Sequence, residues 1–276
     1  TADQERAMTT TSSGKQKRES VMHVAIDGER EMPMRQRVET IMQALRAKSS
    51  KAKRAGLARY AIPDDKALGV AMADIQAIGK RAGRDQALAE ALWDTGIYEA
   101  RLLAAYVGDA VELTAARMDR WCRDFDNWAV CDTLCFALFD RSPLAWRAVE
   151  RWAKRRAEFQ RRAAFALLAG LALHDKKAED DLFLRGLEWI DAAADDERNF
   201  VRKAVNWALR SIGGRNLDLH RASLILAKRL STSSNPTARW IGKDAHAQLS
   251  RPLVVNRVEK RAVAAKAKPA RKRKTS

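Results

Sequence analysis

Proline and glycine are scarce in this chain, with 6 and 13 in 276 residues. An all-β protein needs such residues in turns every few positions, so their shortage argues against one. Cysteine is scarcer still, with three. Three thiols cannot build a disulfide framework, which points to a reduced, cytoplasmic compartment. No run of about 18 apolar residues occurs, so neither a spanning helix nor a membrane partner is expected. The first residues lack the basic-then-apolar pattern of a secretory signal. The residues of metal, nucleotide and serine chemistry are missing as well. His23, His174, His220 and His246 are scattered and form no metalloprotease-like pair. Cys131 and Cys135 are four apart, without further ligands at metal spacing, and read as buried thiols. There is no serine nucleophile elbow and no phosphate-binding glycine loop. No metal and no cofactor are expected.

Acidic residues are also outnumbered, 35 against 52 lysines and arginines, for a formal charge of +17. The excess is uneven. Residues 1–60 carry 13 basic and 7 acidic residues, and residues 257–276 carry 9 basic and one acidic. The long stretch 61–256 holds 30 and 27, a net of only +3. The end of the chain, KAKPARKRKTS, is low in complexity and has no apolar periodicity. It reads as a basic tail that either binds polyanions without sequence preference or simply solubilises the chain. Residues 1–32 read as an extended or disordered segment, 33–252 as the folded HEAT-like part, and 253–276 as a basic, disordered tail.

What is abundant is helical periodicity. Val38, Ile41, Met42 and Leu45 recur at spacings of three and four. So do Leu102, Leu103, Tyr106 and Val107, and Phe165, Leu168 and Leu171 with Leu173 beside them. Breaks fall at Gly83, Gly108-Asp109, Ser142-Pro143, His174-Asp175, Gly213-Gly214 and Asn235-Pro236. Ten to thirteen helices with short loops are expected. The segments beginning at Glu99, Gln160 and Val201 share a cation or amide ahead of a small apolar core, with a weaker echo at Ala238. Arg162 and Lys203 are 41 residues apart, a period typical of HEAT-type helix pairs. The fold class expected is therefore all-α: a right-handed α-solenoid of HEAT-like repeats, whose concave face is a ready groove.

The densest aromatic region is Trp121 to Asp132. Trp128 and Asp132 are four apart and share a helix face. An indole ring beside a carboxylate stabilises a cation. The plainer alternative is a core tryptophan, with Asp132 capping a helix or paired with a neighbouring arginine. Trp207 reads by itself as core. Arg161 and Arg162 open a helix, either as a solvated pair or facing a groove where an arginine meets a phosphate. Tyr60 alone carries no meaning.

Four ordered blocks change this reading: ALWDTGIYEARLLAAYV (91–107), DRWCRDFDNWAVCD (119–132), EFQRRAAFALLAGLALHDK (158–176) and DDERNFVRKAVNWALRSIG (195–213). Together, over roughly residues 35–250, they resemble the AlkD-type DNA alkylation-repair glycosylases of the HEAT-like repeat superfamily. The resemblance implies removal of cationic alkylpurines, such as 3-methyladenine and 7-methylguanine, from double-stranded DNA without enclosing the base in a pocket. It implies Asp132, Trp128 and Trp207 as catalytic residues, and Arg162, Tyr60 and Arg210 as DNA-binding residues. It implies a monomer with no obligate protein partner, cytoplasmic and nucleoid-associated if bacterial. A non-catalytic HEAT-like binder of damaged or branched DNA is the competing expectation.

Overall fold

A computed structural model describes residues 31–267. The polar stretch through residue 30 and the end of the basic tail from residue 268 lie outside the described residues. Among the described residues there are fourteen α-helices, two short 3-10 turns and no strand. They fall into two compact units, 31–109 and 110–267. The division coincides with the Gly108-Asp109 break.

In the N-terminal unit, α1 (Met34–Ala47) packs on α3 (Met72–Ala82) and α4 (Gln86–Asp94), and α5 (Tyr98–Val107) packs on both of those. The short α2 (Lys51–Gly56) and a 3-10 turn at Leu57–Tyr60 lie between α1 and α3. The loop before α3 has no helix to satisfy its amides, so a side chain does it. Glu99, fully buried, accepts from the backbone N–H groups of Leu68, Gly69 and Val70 at 2.8, 2.7 and 3.2 Å. Gly69 sits at φ +78°, and a Cβ there would come 2.2 Å from the Ser50 carbonyl oxygen. Only glycine fits that position.

The C-terminal unit is a stack of helix pairs. Helices α7 (Trp128–Ala137), α9 (Glu158–His174), α11 (Asn199–Gly213) and α13 (Pro236–Leu249) adjoin in that order and form one row. Behind them lie α6 (Ala115–Arg123), α8 (Ala145–Ala153), α10 (Asp180–Asp191) and α12 (Leu217–Ser231). Of these, α6 touches α8 and α10 touches α12, while α8, α10 and α12 pack on α9, α11 and α13 respectively. This is the HEAT-like arrangement that the repeat spacing predicts. Helix α9 is its hub: residues 162–172 are all buried, so the amphipathic pattern is lost in its middle. Side-chain caps set the helix starts. Asn127, Asn216 and Asn235 each accept from a backbone N–H of the following first turn, and Pro236 opens α13. Between α12 and α13 the backbones nearly touch, and a Cβ on Gly242 would fall 2.2 Å from the Ser231 nitrogen.

Two sequence expectations need correction. Residues 253–267 were assigned to a structureless tail, yet Pro252–Ala267 forms a helix, α14, that packs on α12 and α13. Val258 is fully buried there, and a proline at the first position with repeated alanines favours the helix. This helix and the short α2 raise the helix count above thirteen. Leu173, expected on the buried stripe of α9, is exposed because it lies in the helix's last turn.

Candidate active site and nucleic-acid interface

The predicted residues of the C-terminal unit lie on adjoining helices of one row. Asn127 is buried and caps α7 through its Oδ1, which accepts from Val130 N–H at 3.0 Å. That cap makes Trp128 the first helical residue. Trp128, Asp132 and Phe136 then follow at four-residue steps on a single face, all half-buried.

Arg162 reaches Asp132 from α9. Its Nε donates to Asp132 Oδ1 at 2.9 Å and its Nη2 to Oδ2 at 2.6 Å, a two-pronged fork. Its Nη1 donates to the Phe200 carbonyl at the start of α11, at 2.7 Å. One guanidinium thus ties three successive helices together. Both partners are largely buried, the Arg162 side chain 8% exposed and that of Asp132 18%. The Phe200 ring lies 5.9 Å from the Arg162 guanidinium carbon and 5.2 Å from the Phe159 ring. Burial raises the Asp132 carboxyl above its ordinary value, and the Arg162 charge and hydrogen bonds offset that rise only in part. Burial lowers the Arg162 guanidinium, but Asp132 lifts it further and the net direction is up.

Trp207, on α11, stacks parallel to Phe136 with centroids 4.7 Å apart and 5° between the planes. Phe136 in turn meets His174 edge-on at 5.7 Å. The His174 Nδ1 pairs with buried Asp140. Asp132 and the Trp207 stack are therefore linked through one turn of α7.

Arg162 is the sequence-predicted residue whose surroundings differ most from expectation. The residues alone read it as one of a solvated pair or as groove-facing; its observed bonds run to Asp132 and Phe200, which is the arginine pairing weighed for Asp132. Arg161 beside it pairs with Asp196 at 2.9 Å. Arg210 is half-exposed, with Asp244 at 3.6 Å, and Asp244 accepts from buried Asn206 at 2.7 Å. Tyr60 belongs to the N-terminal unit, where it ends the 3-10 turn and is 64% exposed. Sequence reasoning missed Phe136, Phe159, Phe200 and the cap at Asn127. Phe136 was findable, because it extends the Trp128–Asp132 spacing by one more turn. Phe200 was not, since its role comes from its carbonyl and from packing across helices.

The Asp132–Arg162 pair thus lies on a row of HEAT-like helices, with the Phe200 ring near its guanidinium. Residues 41–248 match the family model described as "DNA alkylation repair enzyme", and the chain belongs to that family. A solved structure described as "A new family of proteins related to the HEAT-like repeat DNA glycosylases with affinity for branched DNA structures" is similar in fold. It is 20% identical, with 80% of this chain and 95% of that one covered and a TM-score of 0.65. No curated protein matches the chain.

Proposed function

We propose that the chain is a monofunctional DNA glycosylase that hydrolyses the N-glycosidic bond of cationic alkylpurines, with Asp132 as its central group. The observation that carries this reading is the Asp132–Arg162 fork, with half-buried Trp128 and Phe136 one turn to either side of Asp132 and Trp207 stacked on Phe136. An N3- or N7-alkylated purine already bears a positive charge, so it leaves without being protonated. As the bond stretches, positive charge grows on the deoxyribose. A fixed carboxylate answers that charge, and indole faces add to it. After the fork each Asp132 oxygen retains a lone-pair direction, available to the sugar or to the attacking water. Arg162 acts as a positioning residue that holds Asp132 in place. In this reading Trp128 and Trp207 pack against the sugar, and Arg210 and Tyr60 contact the DNA backbone.

The test is release of 7-methylguanine from methylated duplex DNA by the wild-type chain and by Asp132→Asn. The expected loss is about a hundredfold to a thousandfold, the usual scale for one fixed electrostatic partner. No release by the wild type defeats the enzyme reading. Equal release by both defeats only the assignment of Asp132.

The fold-level neighbour described by its affinity for branched DNA favours a second reading, in which the same face binds branched DNA without cleaving it. That reading gains if the wild type releases no base yet prefers a four-way junction to a linear duplex of equal length.

A further inference from the structure

Beside the Phe136–Trp207 stack the C-terminal unit holds a cleft of about 410 Å³. That is within the usual size of small-molecule sites. Phe136 and Trp207 form one wall. Apolar side chains such as Leu173, Leu249 and Val254 line part of the rest, together with five cations, Lys176, Arg210, Arg215, Arg257 and Arg261, and no carboxylate is among the lining residues. They come from the ends of α9 and α11 and from α14.

Part of this charge serves the fold. Lys176 donates to the Leu173 carbonyl. Arg215 donates to the carbonyls of Ala172 and Ala178 at 3.4 and 2.9 Å, over the Phe183 ring. Arg261 donates to the carbonyls of Gly214 and Arg215 at 2.9 and 3.3 Å. Apart from that of Ala178, these carbonyls lie at or just past the ends of α9 and α11, and each helix end contributes only about half a negative charge. Asp244 sits 3.6 Å from Arg210, and Asp175 and Asp180 act on Arg215 from outside the cleft. Lys176, Arg257 and Arg261 are left with no acidic counterpart lining it. Arg257 is exposed, and none of the described residues hydrogen-bonds its guanidinium. The Lys176 ammonium is pushed down, first by burial and then by the charges of Arg215 and Arg261. Like charges held this close disfavour one another until an anion arrives.

We propose that this cleft is a phosphate-binding site for a DNA strand, with Lys176, Arg257 and Arg261 holding the phosphate and the Phe136–Trp207 stack receiving the adjoining sugar or base. A phosphate oxygen takes charge-assisted bonds from several such donors at once, and aromatic rings accept any base face. The site does not require Asp132 to be catalytic, so its test uses undamaged DNA.

The experiment measures affinity of the full chain for labelled undamaged duplex by fluorescence anisotropy at rising salt. Arg257→Ala is compared with wild type and with Arg155→Ala, which removes an exposed charge at the end of α8. One lost phosphate contact lowers the slope of log affinity on log salt by about 0.9. The expected result is that fall in Arg257→Ala, a further loss in Arg257→Glu, and an unchanged slope in Arg155→Ala. Circular dichroism melts confirm that each variant is folded. Equal slopes for Arg257→Ala and wild type overturn the proposal, as do equal falls in Arg257→Ala and Arg155→Ala. Titration with deoxyadenosine monophosphate and with inorganic phosphate separates the sources. Saturable binding of either, lost in Arg257→Ala while the DNA slope is unchanged, would assign the cleft to a free phosphate compound and overturn its assignment to DNA.

Discussion

Replacing Arg162 by glutamine removes the charge that faces Asp132 and the donors to Asp132 and Phe200. With both side chains largely buried, 8% and 18% exposed, solvent cannot take over the neutralisation. Removing one member of a buried pair costs about 3–5 kcal/mol, because the remaining charge stays desolvated. For a unit of this size, 1 kcal/mol shifts the melting temperature by roughly 2–4 °C, so a fall of about 6–20 °C is expected. The assay is thermal unfolding followed by tryptophan fluorescence, since Trp128 lies one helical turn from Asp132 and Trp207 stacks on Phe136 one turn beyond it. The pH dependence is the sharper part. Burial already holds the Asp132 carboxyl above its ordinary value, against the pull of Arg162. Without Arg162 the upward shift grows. A carboxyl with a raised value binds its proton more tightly in the folded than in the unfolded chain, so stability falls as pH rises through that window. The loss in Arg162→Gln is therefore largest at neutral pH and shrinks on acidification toward the ordinary carboxylate value of 3.8. In the double variant Asp132→Asn/Arg162→Gln the pH dependence disappears, and the loss at neutral pH is smaller than the sum of the two singles. A single variant that loses under about 1 kcal/mol at neutral pH, with no dependence on pH, would refute the claim that the pair is desolvated.

Other consequences follow from the same contacts. Glu99→Gln turns one acceptor of the Leu68–Val70 amides into a donor; it costs about 1–3 kcal/mol, and amide hydrogen exchange at those three residues speeds up if the contact is as described. Gly242→Ala forces a Cβ against the Ser231 backbone, where overpacking costs about 1–3 kcal/mol; denaturant unfolding should show a lower midpoint. For Asp196, burial raises the carboxyl, but the hydrogen bonds and charge of Arg198, with the charge of Arg161, outweigh it and the net direction is down. Its stabilisation is therefore full above 3.8 and is lost as pH falls through the lowered value. Asp196→Asn should cost about 2 kcal/mol at neutral pH, with the gap to wild type closing in acid; a gap independent of pH contradicts the assignment.

The helices were legible because their signal is local. Spacings of three and four, and breaks at Gly83, Gly108 and Asn235-Pro236, depend on neighbours in sequence alone. Trp128 with Asp132 was legible for the same reason, since four residues make one helical turn. The partner of Asp132 lies 30 residues away, and nothing local distinguishes Arg162 from Arg161, which pairs with Asp196 instead. The direction of an arginine's reach is decided by which neighbouring helix offers a buried carboxylate. That information exists only once the pairs are stacked.

The charge pattern makes the same point from the opposite side. Residues 61–256 are nearly neutral as a sum, and 257–276 look like a detached basic tail. Folding moves that boundary. Arg257 and Arg261 lie on α14, which packs against α12 and α13, and they line the same cleft as Lys176 from the end of α9. Lys176 and Arg261 are 85 positions apart in sequence, yet close enough that Arg261 depresses the lysine. A net charge weighs residues by how many there are, whereas a bound phosphate weighs them by distance. A small excess over a long segment is therefore compatible with a dense local field wherever acidic residues are spent in ion pairs elsewhere, as Asp132 and Asp196 are here.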